Sequence, residues 1–163
     1  MESSAVVYAN SVLGARCNRN SGIIELFGSI VGCVPYFGFL TDEGRKATWI
    51  VDVKTAQKPE AQILGSAIGM KVMEDVPYIK GLSDFIGTEI NSETIAYLKD
   101  MGAATASNGA VGLYHVAGLT PEAVELADLG LVGGDQDGAG NGDGADGEEV
   151  LQGEVQADAE HQQ

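Results

Sequence analysis

Two of the three arginines in this chain, Arg16 and Arg19, lie three residues apart in one short polar stretch. An apolar run at residues 5–9 precedes this stretch, and amide and hydroxyl side chains surround the two arginines. Arginine presents a planar fork of donors that matches a carboxylate or a phosphate, and asparagine both donates to and accepts from a hydroxyl group. The stretch is therefore a candidate loop for binding an oxygen-rich anion. Its candidate residues are Asn10, Ser11, Gly14, Arg16, Asn18, Arg19 and Asn20.

The elements predicted around this loop are a strand before it and a helix after it. Residues 5–9 are continuously apolar, which is typical of a buried strand in a parallel sheet. Residues 23–31 have helical apolar spacing, with Ser21 and Gly22 as the cap and Gly32 as the end. This order lets backbone N–H groups at the start of the helix face an anion. The loop lacks dinucleotide or P-loop glycine spacing, so nucleotide binding is disfavoured.

The next segment predicts a β-hairpin. Residues 34–40 and 47–53 are rich in aromatic and β-branched side chains, and a turn at residues 41–44 separates them. Tyr36, Phe37 and Trp49 are assigned to the core rather than to a ligand platform.

A helix is predicted at residues 59–74 and a short extended segment at residues 76–81. Gly65 and Gly69 lie four residues apart on one face of this helix, which indicates close packing against a strand.

The second half continues the alternation of helices and strands. Asn91 or Ser92 is expected to cap a helix that ends at Gly102, and residues 110–116 predict a buried strand. Thr120 and Pro121 then fit the cap and first position of a last helix.

His115 lies at the end of that predicted strand, and strand ends are where sites collect in α/β folds. We therefore retain His115 as a candidate substrate contact. A hydrogen-bonded structural histidine is the other interpretation, and it is the more common one at such a position.

Charge and composition limit the possible partners. The chain has 163 residues with 24 acidic and 9 basic side chains, a net charge of −15, and ten of the acidic residues follow position 127. Such a chain repels nucleic acid and anionic lipid, and it contains no apolar run long enough to cross a membrane. No signal peptide is evident, which predicts a cytoplasmic location. The Gly/Asp/Glu-rich residues 128–163 are expected to be a disordered tail.

Cysteine usage gives no sign of a metal site. Cys17 and Cys33 form neither a CxxC motif nor a Cys/His cluster. We expect two reduced thiols and no metal ligand among the residues of this chain.

Three segments resemble the aconitase X family: ESSAVVYANSVLGARCNRN, VPYFG and ASNGAVGLYHVAGLTPEA. The similarity covers residues 2–127. It implies an aconitase-like α/β fold of three layers, with a mostly parallel sheet plus the β-hairpin. It further implies an iron–sulfur cluster, elimination of water from a small hydroxy acid such as mevalonate 5-phosphate, and association with a small swivel-domain subunit.

The first of these motifs carries the site residues that the resemblance implies, and it identifies no catalytic residue. The substrate-binding or site-shaping positions that match it are Asn10, Ser11, Gly14, Ala15, Arg16, Asn18 and Arg19.

The resemblance also implies that this chain is an internal segment of a longer large subunit. Two thiols do not complete a three-cysteine cluster site, so the cluster is expected on the complete enzyme and not on this chain alone.

Three functions stay open. The chain is a dehydratase segment that works with the missing large-subunit portions, an inactive remnant that retains an anion-binding loop, or a small α/β binding or interaction domain.

Overall fold

The computed structural model describes residues 2–123 and 151–154 of the chain, and the side chains of residues 4–123. Its helices are α1 (Glu2–Ser11), α2 (Gly22–Val31), α3 (Ala61–Val72), α4 (Ser83–Ile86) and α5 (Ser92–Gly109). Its strands are β1 (Trp49–Asp52), β2 (Pro77–Lys80), β3 (His115–Val116) and β4 (Leu151–Glu154). Two 3₁₀ turns lie at Gly38–Leu40 and Glu43–Arg45.

The four strands form one parallel sheet in the order β3-β2-β1-β4, so the α/β fold class is confirmed. Trp49 pairs with Pro77, and Tyr78 pairs with His115. β4 lies within residues 128–163, the segment that the sequence predicts to be a disordered tail, and it pairs in parallel with β1. The other residues of the predicted tail lie outside the described part of the chain.

The predicted β-hairpin does not form. β1 is flanked on both sides by parallel strands, which leaves no edge for residues 34–40. The Thr41 hydroxyl donates to Gly38 O at 2.8 Å and accepts from Gly44 N at 3.1 Å, so local bonds fold this segment into 3₁₀ turns. Tyr36 and Phe37 are exposed rather than buried, whereas Trp49 packs against the core as predicted.

The first predicted strand is wrong as well, because residues 5–9 belong to α1. A short apolar run does not distinguish a buried strand from a buried helical segment. The buried residues Val7, Asn10 and Ser11 recur at helical spacing, and Val12 N donates to Tyr8 O at 2.9 Å. Side chains three and four residues apart lie on one helix face, and this face packs on α5.

Helices α3 and α5 pack closely through glycines. A Cβ atom on Gly65 would clash with Met101 O, and one on Gly109 would clash with the backbone of Gly69. The predicted helix at residues 59–74 is confirmed, but its glycine face packs against a helix and not against a strand.

Helix α5 begins at the predicted cap, since the Asn91 side chain accepts hydrogen bonds from Glu93 N and Thr94 N. It does not end at Gly102, which lies inside the helix. A Cβ there would lie 3.1 Å from both Val7 and Tyr114, so this glycine serves packing rather than termination.

The predicted strand at residues 110–116 is shorter than expected. Only His115 and Val116 pair with β2. Tyr114 N donates instead to the Ser11 hydroxyl at 3.0 Å, which ties this segment to α1. Within the described residues, no helix has the length and hydropathy needed to cross a bilayer.

Candidate functional site

The candidate loop follows α1 directly, and the Asn10 side chain fixes its first half. The amide nitrogen of Asn10 donates to Cys17 O at 2.8 Å and to Gly112 O at 3.1 Å, and its amide oxygen accepts from Cys17 N at 2.9 Å. Asn10 is buried with all of these partners satisfied. It is therefore a brace that holds the loop against the segment before β3.

A second brace comes from Asn18, which is also buried. Its amide donates to Phe37 O at 2.9 Å and accepts from Phe39 N at 2.7 Å, so it fixes the residue between them, Gly38. Gly38 has φ +56°, and a Cβ there would lie 2.6 Å from the Asn18 amide oxygen. The asparagine and the glycine thus require each other.

The remaining short residues of the loop shape the backbone. Ser11 is buried and accepts from Tyr114 N. Gly14 has φ +66°, a left-handed backbone conformation that is unfavourable for a residue with a Cβ atom. Ala15 N donates to Ala9 O at 2.9 Å and closes the turn after α1. Among the residues predicted to bind substrate, Ser11 and Ala15 therefore make hydrogen bonds with the protein backbone.

Arg16 points towards the 3₁₀ turns. Its guanidinium donates to Leu40 O at 2.9 Å and forms an ion pair with the Asp42 carboxylate. The hydrogen bond to Asp42 raises the pKa of Arg16, which keeps the group cationic. The Arg16 side chain is 43% exposed and that of Asp42 is 87% exposed, so a ligand is able to reach this pair.

Arg19 is the candidate cation whose head group has no partner among residues 4–123. Its stem lies over Gly112, where an added Cβ would come within 2.9 Å of the Arg19 Cδ atom. Arg19 is exposed, and its guanidinium donates to no other residue in the described part of the chain. Arg16 and Arg19 are therefore the loop residues with charge available to a ligand.

The third arginine, Arg45, was not among the predicted site residues, and it is almost completely buried. Its Nε donates to both carboxylate oxygens of Glu122 at 2.8 and 2.9 Å, and its Nη2 lies 2.7 Å from Glu122 Oε1. Its other donors reach Phe39 O and Asn10 O, each at 3.1 Å. Arg45 thus joins the end of α1, the 3₁₀ turns and residue 122. Its position in a charged turn gave no signal of burial.

His115 lies beneath Arg45 rather than at the surface. Its Nε2 donates to Arg45 O at 2.9 Å, and the residue is 1% exposed. Burial lowers the pKa of His115 despite the opposing effects of the Arg45 carbonyl and the Glu122 charge. This neutral histidine fixes the backbone of Arg45 through its hydrogen bond, which agrees with the interpretation of His115 as a structural residue.

The cysteines do not form a site for an iron–sulfur cluster. Cys17 donates weakly to Asn18 O at 3.5 Å, and Cys33 is exposed. Burial, followed by the Glu25 charge, raises the pKa of the Cys17 thiol and disfavours the thiolate that binds metal. No group of three metal-binding side chains occurs among residues 4–123. The donor set of the described residues does not fit the cluster.

Two models of protein-family domains match this chain. Residues 1–43 match the model of the aconitase X first domain, and residues 47–136 match that of the aconitase X second domain. The second match alone covers more than half of the chain. The chain belongs to the aconitase X family.

The chain is similar in sequence to two kinds of dehydratase. The phosphomevalonate dehydratase large subunit of Thermococcus kodakarensis is 47% identical over 123 residues, which is 74% of this chain and 30% of the relative. The cis-3-hydroxy-L-proline dehydratase of Pseudomonas aeruginosa is 33% identical over 129 residues, covering 77% of this chain and 21% of the relative.

A crystal structure of Thermococcus kodakaraensis aconitase X in its holo-form is also similar. It matches with a TM-score of 0.65 and 46% identity over 76% of this chain and 30% of that chain. This aconitase X chain therefore spans about a third of the length of these relatives or less.

Proposed function

We propose that this chain is part of the large subunit of a hydro-lyase that removes water from a small hydroxy acid such as mevalonate 5-phosphate. The observation that carries the proposal is the pair Arg16 and Arg19. Both are exposed cations on a loop that two buried asparagines brace, in a segment 47% identical to a phosphomevalonate dehydratase large subunit.

The chemistry of dehydration requires such a loop. A proton and a hydroxide leave adjacent carbons, and the carboxylate or phosphate of the substrate must stay fixed meanwhile. Arg19 suits this task because its stem is packed on Gly112 while its fork of donors has no partner among the described residues. Because Asn10 and Asn18 are occupied by backbone partners, they hold the arginines in place and do not contact the substrate.

The proposal assigns the remaining parts of the reaction to other portions of the enzyme. The iron–sulfur cluster of the complete enzyme would be held by cysteines outside this segment, because Cys17 and Cys33 do not fit it. We also propose that the enzyme includes a small swivel-domain subunit and that it is cytoplasmic. In this proposal, residues 1–127 are a catalytic-domain-like segment and residues 128–163 are an acidic tail.

Binding of mevalonate 5-phosphate to this chain, measured by calorimetry, tests the anion loop. Losing one arginine's charged hydrogen bonds costs about 1.5–3 kcal/mol, so Arg19→Ala should weaken binding roughly 10- to 150-fold. Lys71→Ala, on the last turn of α3, removes the same charge away from the loop and should leave affinity unchanged. Equal affinities for the two variants would refute the assignment.

Asp42 allows a test in the opposite direction. Its carboxylate occupies Arg16, and exposed pairs of this kind are worth about 0–1 kcal/mol. Asp42→Asn should therefore tighten binding by up to about fivefold. Glu43→Gln is the matched control, because Glu43 is exposed and pairs with Lys46 instead. An equal gain in both variants would mean that net charge, and not Arg16, sets the affinity.

An inactive remnant that retains the loop is the second candidate, and the poor fit of the cysteines to a cluster favours it. Anaerobic reconstitution with iron and sulfide, with and without the partner chains, separates the two. A dehydratase segment gives cluster absorbance and dehydration in the mixture, whereas a remnant binds mevalonate 5-phosphate without either signal.

A further inference from the structure

Helix α2 carries an apolar face that the described fold leaves exposed. None of its residues is buried. Six apolar side chains of this helix are between 42% and 72% exposed: Ile23, Ile24, Leu26, Phe27, Ile30 and Val31. At about 100° per residue they fall within an arc of about 160°, with Glu25 and Ser29 on the opposite side. An amphipathic helix normally turns such a face towards a core, and here it faces outwards.

The segment after α2 enlarges this surface. Val34, Tyr36 and Phe37 are 46%, 75% and 51% exposed. We call these three residues together with α2 the α2 surface. Between residues 20 and 41, Glu25 is the single charged residue. Large exposed apolar patches mark interaction sites, and depletion of charge marks the core of a stable interface.

Charge decides which occupant fits the α2 surface. A helix that lies on a membrane carries lysine or arginine on its polar side, and α2 has neither. A second copy would bring two chains of net charge −15 together, and the surface contains no basic side chain to offset that repulsion. A partner from a different polypeptide portion fits better.

The greater length of the related large subunit indicates which polypeptide portion this partner is. This chain spans 30% of the Thermococcus kodakarensis large subunit, and the shared segment there is joined to more than twice its own length of further chain. We propose that the α2 surface packs against the portion of an aconitase X large subunit that lies outside the shared segment. This inference rests on the proposed assembly of large-subunit portions, but it does not depend on the anion loop.

Hydrogen exchange of the α2 amides tests the proposal directly. In this chain alone, a helix without a buried side chain should exchange fast, because it opens locally. In the full-length Thermococcus kodakarensis large subunit, the segment aligned with Gly22–Val31 should exchange at least 100-fold more slowly. Fast exchange there would overturn the proposal, even if mevalonate 5-phosphate still binds this chain through Arg19.

The oligomeric state of this chain tests the competing occupant. Light scattering should give a monomer for the unaltered chain, for Ile30→Asp and for the matched control Ser29→Asp on the polar side of α2. A dimer that Ile30→Asp alone dissociates would overturn the proposal in favour of a second copy. Binding of the unaltered chain to vesicles of zwitterionic lipid, abolished by Ile30→Asp, would overturn it in favour of a membrane.

Discussion

Arg45 is the residue whose replacement should be most damaging to the site. It is 3% exposed, and its side chain makes contacts with Glu122, Phe39 and Asn10. We consider Arg45→Met, which retains the volume of the stem and removes the guanidinium. The change leaves the Glu122 carboxylate, which is only 24% exposed, without its cationic partner. It also removes the donor that bonds to the backbone carbonyls of Phe39 and Asn10.

The size of the effect follows from these partners. Removing one member of a buried ion pair costs about 3–5 kcal/mol, because the other charge is left uncompensated. Partial exposure of Glu122 places the expected loss towards the lower end, at about 3 kcal/mol. For a chain of this length, that corresponds to a fall in the melting temperature of about 6–12 °C.

Urea unfolding followed by circular dichroism measures this loss. The matched control is Lys58→Met, since Lys58 forms an exposed pair with Glu93 at 3.2 Å and should change stability by less than about 1 kcal/mol. The double variant Arg45→Met/Glu122→Leu removes both charges and should recover much of the stability lost by the first change. Equal losses for Arg45→Met and Lys58→Met would refute the argument that Arg45 joins the three segments.

Three further predictions concern the fold around the site, all read by urea unfolding. Asn91→Ala removes the cap of α5 and should cost about 1 kcal/mol. Gly65→Ala forces a Cβ against Met101 O and should cost about 1–3 kcal/mol or more, whereas Met70→Ala on the exposed side of α3 should have little effect. His115 has a lowered pKa, so the unfolded chain binds its proton more readily. The contribution of neutral His115 to the free energy of unfolding is then fully present above about pH 6.5. Below that pH the free energy of unfolding should fall by at most about 1.4 kcal/mol per pH unit, and His115→Gln should reduce this slope.

Helical periodicity and caps in the sequence predicted the parts of the fold that depend on local chemistry. Helices α2 and α3 and the start of α5 at Asn91 all agree with the structure. Two of the failed predictions show how tertiary contacts override local sequence patterns. Residues 5–9 form part of a helix, and the buried face of that helix packs on α5. Residues 34–40 are excluded from the sheet because β1 already has a parallel strand on each side.

For the proposed site, the sequence pointed to a stretch of residues but not to the orientation of their side chains. Asn10 bonds to Gly112, 102 residues away, and Arg45 bonds to Glu122, 77 residues away. Partners at such separations leave no local pattern, so a polar residue that braces the backbone cannot be told from one that faces a ligand. The rarity of arginine was the one usable signal, and it applied equally to Arg45.

The hydrogen bonds within the loop also limit which residues can bind a ligand. Releasing a buried donor such as Asn10 or Arg45 from its partners costs about 1–3 kcal/mol for each group left unsatisfied, which cancels the gain from a new bond to substrate. Releasing Arg16 from the exposed Asp42 costs at most about 1 kcal/mol, and Arg19 has no partner to lose among the described residues.

In the proposed function, the binding energy of this segment therefore comes from these two arginines. The relatives named above act on two different hydroxy acids by name, and both share the segment. A carboxylate is common to both classes of substrate, and in the proposed function a pair of arginines on the braced loop recognises it without regard to the rest of the molecule. Discrimination between the two substrates would then lie with residues outside the braced loop.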